Sequence, residues 1–262
     1  MRKLLMNKFI LLFLLIPSVC WGAVDLDGTD DVLCKEDADL TNLPTTVPFS
    51  VTAWANLDTF ADNESFITFG EASGTDSGFR FSLSGSDELE MGYLGNTTLA
   101  TTTFSVPTGE DIFIAAACQS DHDCTFWLYT PSSGTWTSEE VTTGSSMNTV
   151  ASNSEIIVGA RTINSSNCTS LQSFLDGTIY HLRLYDVELS DQEVRGIGGS
   201  RLKRIYVRPS GLVLDYSFDD SPSGAVVDGS TFRNNVDLTN ALTADAGANS
   251  SLVSVGGILS YP

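Results

Sequence analysis

Along most of this chain, apolar and polar residues alternate over short stretches that are separated by Gly, Ser, Thr, Asn and Asp. An alternation with a period of two residues is typical of a β-strand with one buried face. No long stretch shows the period of an amphipathic helix. Short strands joined by turn residues indicate an all-β sandwich. The predicted strands are residues 24–34, 49–57, 65–70, 79–84, 88–94, 111–118, 124–130, 137–142, 155–160 and 176–186.

The clearest pattern lies in residues 174–194, FLDGTIYHLRLYDVELSDQEV. Its first half alternates as a strand does. Its second half has Ser190 followed three residues later by Glu193, a capping pattern that begins a helical turn. The sequence therefore predicts a long strand that ends in a short helix. The pleat is predicted to place Ile179, His181, Arg183 and Tyr185 on one face, and Tyr180, Leu182 and Leu184 on the other.

Three segments resemble landmarks of laminin-G-like domains of the concanavalin A-like lectin/glucanase superfamily. The opening LDGTDDVL is similar to that family's F-D-G-x-D-D-Y-V, and PFSVTAWANL is similar to a second landmark with Trp54 in its tryptophan position. The third segment, residues 174–190, resembles the family's closing strand. The resemblance implies an all-β, two-sheet antiparallel jelly-roll sandwich over residues 23–194. The matching closing-strand residues are Phe174, Gly177, Ile179, Leu182, Arg183, Leu184, Tyr185, Leu189 and Ser190.

Residues 1–22 are predicted to form a secretory signal peptide. Arg2, Lys3 and Lys8 precede the apolar run FILLFLLI, and small residues stand before the expected cleavage site. The run is shorter than the ~20 residues that span a bilayer, which argues against a membrane anchor. We therefore expect a protein that is not membrane-embedded and is secreted, extracellular, periplasmic or held at the cell surface.

The chain is strongly acidic, with 13 Lys and Arg residues, 33 Asp and Glu residues and a formal net charge of −20 at pH 7. Three of the basic residues lie in the signal peptide, so residues 23–262 carry 10 basic against 33 acidic residues, a charge of −23. A surface of this sign repels phosphate backbones, which excludes nucleic acid as an expected partner.

Four cysteines follow the signal peptide, and an even number in an exported chain predicts disulfides. Cys118 and Cys124 flank QSDHD between two apolar runs, as in a hairpin, and are predicted to pair. That leaves Cys34 to pair with Cys168. A metal site at the C-x5-C pair is the alternative, but no second close pair of Cys or His accompanies it.

The residues after the sandwich divide into a linker and a tail. In the linker, residues 195–210, a cluster of basic side chains indicates either a docking surface for an acidic partner or contacts with the acidic body of the same domain. The tail, residues 211–262, opens with GLVLDYSFDD, which resembles a segment that usually precedes a laminin-G-like sandwich. We expect residues 211–218 to pair at a sheet edge, as in a circular permutation, with Leu212, Leu214 and Tyr216 on one face. The basic residues of the linker mentioned above are Arg195, Arg201, Lys203, Arg204 and Arg208.

The family resemblance also implies calcium as a cofactor. Asp27, Asp30 and Asp176 would supply hard oxygen ligands if the first and last strands are neighbours. The family's acidic residue after Ile179 is replaced here by Tyr180. Hydrogen bonds that stabilise turns are the alternative role for these aspartates.

The strand TFWLY is apolar on both faces. One face is expected to fill the core, and the other, with Trp127 and Tyr129, is either covered by loops or offered to a sugar as a stacking surface. Trp136 in the following segment is predicted to extend this ligand-binding surface. Trp54 is predicted to lie in the core with Phe49 and Val51.

Catalytic patterns are weak in this chain. Laminarinase-type glycoside hydrolases of the superfamily carry E-x-D-x-x-E on one strand, whereas DELEMGYL keeps only Glu88 and Glu90. The two histidines, His122 and His181, lie in no recognisable nucleophile motif. We therefore expect a non-catalytic binding or adhesion module for glycans or cell-surface polymers. The alternatives are a glycoside hydrolase or polysaccharide lyase of the same superfamily, and a structural subunit of a surface layer or particle.

Overall fold

The structure of the chain is a computed structural model that describes residues 23–36, 43–60, 63–70, 78–93, 98–119, 123–143, 155–162, 171–199, 210–218, 225–226, 230 and 236–237. Its strands are β1 (Val24–Asp27), β2 (Leu33–Glu36), β3 (Phe49–Leu57), β4 (Ser65–Gly70), β5 (Gly78–Leu83), β6 (Glu88–Tyr93), β7 (Thr98–Ser105), β8 (Asp111–Cys118), β9 (Cys124–Thr130), β10 (Thr135–Val141), β11 (Glu155–Val158), β12 (Arg161–Thr162), β13 (Leu171–Gln172), β14 (Asp176–Tyr185), β15 (Leu212–Ser217), β16 (Ala225–Val226) and β17 (Val236–Asp237). A helix, α1 (Asp191–Gly198), follows β14.

Most of these strands form two antiparallel sheets, which confirms the predicted all-β sandwich. The seven-stranded sheet has the order β1, β14, β3, β8, β9, β10, and its seventh strand, β15, also pairs with β14. The six-stranded sheet has the order β2, β11, β4, β5, β6, β7. Because β3 occupies one edge of β14, β1 and β15 share the other edge end to end. β1 pairs with residues 176–179 of β14, and β15 pairs with residues 181–185.

The hydrophobic core lies between the two sheets, where alternate residues of facing strands meet. Phe49 of the seven-stranded sheet contacts Phe69 and Phe79 of the six-stranded sheet, with ring centroids 5.5 and 4.6 Å apart. Burying each such side chain stabilises the fold by about 1.5–3 kcal/mol before entropy is counted. On β8 every second residue enters this core, and the residues between them lie on the outer face of the sheet. The core residues are Ile112, Ile114 and Ala116, and the outer-face residues are Phe113, Ala115 and Ala117.

The opening segment forms two strands instead of the single predicted strand over residues 24–34. β1 belongs to the seven-stranded sheet and β2 to the six-stranded sheet. The turn between them has Gly28 at φ +71°, a left-handed conformation that favours glycine. Asp27 Oδ1 accepts hydrogen bonds from the backbone N–H of Thr29 at 2.9 Å and of Asp30 at 3.3 Å. These contacts turn the chain from one sheet to the other.

The closing strand β14 contains a β-bulge that the sequence pattern does not reveal. Ile179 pairs with Ala55 of β3 and His181 pairs with Trp54, so Tyr180 is the extra residue. Because of this extra residue, Ile179 and Tyr185 lie on opposite faces of the sheet, whereas the alternation predicts that they share one face. Ile179 therefore lies in the core with Leu182 and Leu184, whereas Tyr180 and Tyr185 pack on the outer face.

Helix α1 begins as the sequence predicts. Ser190 Oγ accepts a hydrogen bond from Glu193 N at 3.4 Å, and Glu193 Oε2 accepts one from Ser190 N at 2.8 Å. The helix buries Val194 and Ile197 against the outer face of the seven-stranded sheet. A Cβ at Gly198 would lie 2.4 Å from a ring carbon of Phe113, so the end of the helix packs closely on β8.

Strand β15 places the beginning of the tail in the core. Leu214 and Tyr216 are buried between the sheets, as are Val213 and Phe218. Leu212 does not share their face as predicted. It packs on the outer face, because the pairing shifts register between Leu184 and Tyr185 of β14. The domain boundaries at residues 23–194, 195–210 and 211–262 stay a prediction.

Asp215, on the outer side of β15, links this strand to β14. Its Oδ1 lies 2.6 Å from His181 Nε2 and accepts a hydrogen bond from Arg183 Nε at 2.8 Å. Burial alone would raise the pKa of Asp215, but the His181 hydrogen bond and the Arg183 charge hold that pKa well below its ordinary value.

The predicted disulfide between Cys118 and Cys124 is confirmed, and the two cysteines lie directly opposite each other at the end of the β8–β9 hairpin. Cys34 is also disulfide-bonded. Cys168 lies outside the described residues, so the Cys34–Cys168 pairing stays a prediction. Among the described residues, no helix has the length and apolar character needed to cross a membrane.

Candidate glycan-binding site

A row of aromatic side chains crosses the outer face of the seven-stranded sheet, the face turned away from the core. The strand register places its members side by side, since Trp54 pairs with Phe113, Phe113 with Tyr129, and Tyr129 with Trp136. These four residues come from β3, β8, β9 and β10, and we call them the aromatic strip. Cross-strand neighbours have Cβ atoms about 4.5–5.5 Å apart, so strand pairing alone brings the rings into contact.

The rings of the aromatic strip form a continuous set of contacts. Tyr129 and Trp136 stack with centroids 4.6 Å apart and an interplanar angle of 20°. Trp54 meets Tyr129 edge to face at 6.3 Å, and Phe113 lies 5.6 Å from Trp54. Trp54 and Phe113 are buried, whereas Tyr129 and Trp136 are only partly buried. The accessible end of the strip is thus the stacked pair.

Trp127 lies on the same face as Tyr129, as predicted, but only 4% of its surface is exposed. Its Nε1 donates a hydrogen bond to Asp191 Oδ1 at 2.9 Å, which ties β9 to α1. Asp191 also accepts hydrogen bonds from Arg195 Nε at 2.9 and 2.8 Å. The guanidinium of Arg195 lies 4.9 Å from the centroid of Trp136. Trp127 therefore supports the helix that flanks the strip.

Asp191 is a mostly exposed carboxylate whose pKa is lowered by its hydrogen bonds from Arg195 and Trp127. Arg195 is the one basic residue of the predicted linker that lies within the described residues, and it is part of α1 instead of an extended linker. The remaining basic residues of the predicted docking cluster lie outside the described residues.

A group of polar side chains borders the strip on the side away from α1. Asp111 Oδ1 accepts hydrogen bonds from the Tyr180 hydroxyl at 2.9 Å and from Asn56 Nδ2 at 3.3 Å. We call Asn56, Asp111 and Tyr180 the polar triad. Burial raises the pKa of Tyr180 above its ordinary value, so its hydroxyl stays a hydrogen-bond donor at neutral pH. Partly buried polar groups beside aromatic rings are typical of ligand sites.

The prediction for Trp54 is wrong about the face. Trp54 is buried, but it lies on the outer face, while Phe49 and Val51 lie in the core. The alternation itself requires this, because Trp54 stands an odd number of residues from both. The same rule, applied from Trp54, would have found Asn56 on the outer face. Asp111 and Tyr180 could not be found this way, since strand register and the bulge position them.

Two of the three predicted calcium ligands, Asp27 and Asp30, lie close together in the turn between β1 and β2. Asp27, Asp30 and Asp31 have carboxylate oxygens that all lie within 4.8 Å of one another. Asp31 was not predicted. Asp176 lies opposite Asp27 in the β1–β14 pair, and its carboxylate accepts a hydrogen bond from the Thr59 hydroxyl. Oxygen donors of this kind fit calcium, and hydrogen bonds to Asp27 also stabilise the turn, so calcium binding stays a prediction.

The two glutamates considered for catalysis have partners within the protein. Glu90 forms a buried ion pair with Arg80, whose Nη1 also donates to the Tyr93 carbonyl at 2.9 Å. Glu88 accepts a hydrogen bond from Ser84 Oγ at 3.0 Å. The Glu90 carboxylate is thus engaged by an arginine, which is unlike the pair of substrate-facing carboxyl groups of a glycosidase. His122 lies outside the described residues.

Two antiparallel sheets packed face to face, with this closing strand, define a concanavalin A-like jelly-roll fold. The chain belongs to the concanavalin A-like lectin/glucanases superfamily, whose laminin-G family model matches residues 27–195. The resemblance of the opening and closing segments is therefore confirmed. The sequence matches no curated protein sequence.

Solved structures share the fold at low sequence identity. A protein from Bacteroides ovatus ATCC 8483 designated as carbohydrate-binding has a TM-score of 0.54 and 14% identity over 83% of this chain and 58% of its own. The CBM40 of a Ruminococcus gnavus IT-sialidase, bound to α2,3 sialyllactose, has a TM-score of 0.50 and 9% identity over 68% of this chain and 98% of its own. Tailspike protein 2 from Escherichia coli O157:H7 bacteriophage CAB120 has a TM-score of 0.50 and 15% identity over 75% of this chain and 26% of its own. This chain thus spans little more than half of the Bacteroides protein.

Proposed function

We propose that this protein is a non-catalytic module, secreted or held at the cell surface, that binds glycans at the aromatic strip. The observation that carries the proposal is the stacked Tyr129–Trp136 pair, two partly buried rings at the accessible end of the strip. Flat aromatic faces take up the apolar faces of sugars, and nearby polar groups bind sugar hydroxyls. In this proposal Tyr129 and Trp136 contact the ligand, while Trp127 holds α1 beside them.

The chain's relatives and its chemistry support this function. Carbohydrate binding is named for two of the structures that share the fold, and the superfamily includes lectins. The Cys118–Cys124 disulfide and the predicted signal peptide fit an oxidising compartment. The engagement of Glu90 by Arg80 favours binding over hydrolysis.

A glycan array probed with the wild-type protein and with Trp136→Ala tests the proposal. Removing the ring takes away one stacking surface, so we expect retention on bound glycans to fall by about tenfold or more. The melting temperature should change little, because Trp136 is only partly buried. Phe104→Ala is the matched control, since Phe104 is a partly buried aromatic residue that packs against the core instead of the strip.

Two results would contradict the proposal. One is retention by Trp136→Ala equal to that of the wild type on every bound glycan, and the other is an equal loss in Phe104→Ala. Incubation with β-glucans and acidic polysaccharides provides a separate check on the enzyme alternative. Release of reducing ends or unsaturated products would show that the protein is a hydrolase or lyase.

A further inference from the structure

Two buried polar atoms on the outer face of β3 have no hydrogen-bond partner among the described residues: Trp54 Nε1 and Asn56 Oδ1. One is a donor and the other an acceptor. Asn56 Nδ2 donates to Asp111 Oδ1 at 3.3 Å, which fixes the orientation of the amide and leaves its oxygen as the unpaired atom. Unpaired buried polar groups are uncommon in folded proteins because they lose their bonds to water without replacement.

The two residues are neighbours on one face of a strand. They stand two positions apart on β3, so both side chains project from the same face of the strand. A secondary amide presents one acceptor, its C=O, and one donor, its N–H. One unpaired donor and one unpaired acceptor on the same strand face therefore match the two polar groups of one secondary amide.

We propose that the site recognises glycans that carry an N-acetyl group, an inference that rests on the proposed glycan-binding function. The acetamido carbonyl accepts a hydrogen bond from Trp54 Nε1, and the acetamido N–H donates to Asn56 Oδ1. The methyl group lies against the partly buried ring of Tyr129, which meets Trp54 edge to face. The sugar ring itself lies toward the stacked pair.

Two tyrosine side chains lie beside these atoms. Tyr129 lies edge to face with Trp54, and Tyr180 is joined to Asn56 through Asp111. Both tyrosines are partly buried, and in the proposed complex the acetamido group enters between them. The proposed ligand thus pairs the two unpaired atoms and leaves the hydrogen bonds of the polar triad intact.

Isothermal titration with N-acetylchitotetraose and cellotetraose tests the proposal, because these tetrasaccharides share a β-1,4-linked backbone and differ in an acetamido or a hydroxyl group at C2. We expect the wild-type protein to bind the acetylated sugar at least about tenfold more tightly, since a site built for hydrogen bonds rejects an analogue that leaves its groups unpaired. Trp54→Phe and Asn56→Ala should bring that ratio toward one, whereas Trp136→Ala should weaken binding of both sugars and preserve the ratio.

The outcomes separate this inference from the proposed function. Equal affinity for the two tetrasaccharides, or array binding restricted to glycans without an N-acetyl group, would overturn the acetamido assignment and leave glycan binding standing. Absence of binding to any glycan would overturn both. The comparison of sugars uses only the wild-type protein, so the test holds even where a variant fails to fold.

Discussion

Strand β15 offers a quantitative test of how the tail contributes to stability. Leu214 is completely buried in the core, and Leu212 is partly buried on the outer face of the same strand. Leu214→Ala removes a buried side chain and leaves a cavity, a change that costs about 2.7–5 kcal/mol in comparable cores. Leu212→Ala is the matched control, and it should cost only about 1 kcal/mol because less surface leaves water.

The assay is thermal unfolding of the full chain with its disulfides intact. In a domain of this size each kcal/mol shifts the melting temperature by about 2–4 °C, so Leu214→Ala should lower it by about 5–20 °C. The shift for Leu212→Ala should be only about 2–4 °C. Equal shifts would refute the assignment of these side chains to opposite faces. No shift in either variant would show that β15 does not pair with β14 in solution.

Two further predictions concern charge. The folded-state pKa of Asp215 is depressed, so its contribution to stability is present above its ordinary pKa of about 3.9 and is lost as pH falls below that value. Asp215→Asn should therefore lower the melting temperature at pH 7, and the gap to the wild type should narrow progressively as the pH falls below ~3.9. Parallel curves across this range would contradict the assignment. For the opening turn, we expect millimolar calcium to raise the melting temperature and Asp30→Asn to remove that rise. An unchanged melting temperature in calcium would leave turn stabilisation as the role of these aspartates.

The fold could be predicted from the sequence where an apolar run is bounded by polar and turn residues. β3, β4, β8 and β9 have the predicted bounds for this reason. β7 was missed. Its sequence, TLATTTFS, has few large apolar residues, and strand pairing with β6 determines its conformation. Local patterns do not report such pairing.

The candidate site was less predictable because it depends on contacts between distant segments. Trp127, Tyr129 and Trp136 were found because they lie in one hairpin. Asp111 and Tyr180 meet only through the order of strands in the sheet, and a bulge turns Tyr180 outward. Periodicity gives each strand its two faces, but it does not show which strands are neighbours or where a register shifts.

The position of β1 beside β14 has a consequence for the timing of folding. Asp25 of β1 and Thr178 of β14, which share a hydrogen bond, are 153 residues apart in the chain. During synthesis or export, most of the sandwich sequence must therefore emerge before β1 can pair with β14. The β8–β9 hairpin joins neighbouring segments and can form early, whereas the β1 edge closes late. Folding should thus be limited by a late, non-local pairing step, and β1 remains open to unwanted association until β14 emerges.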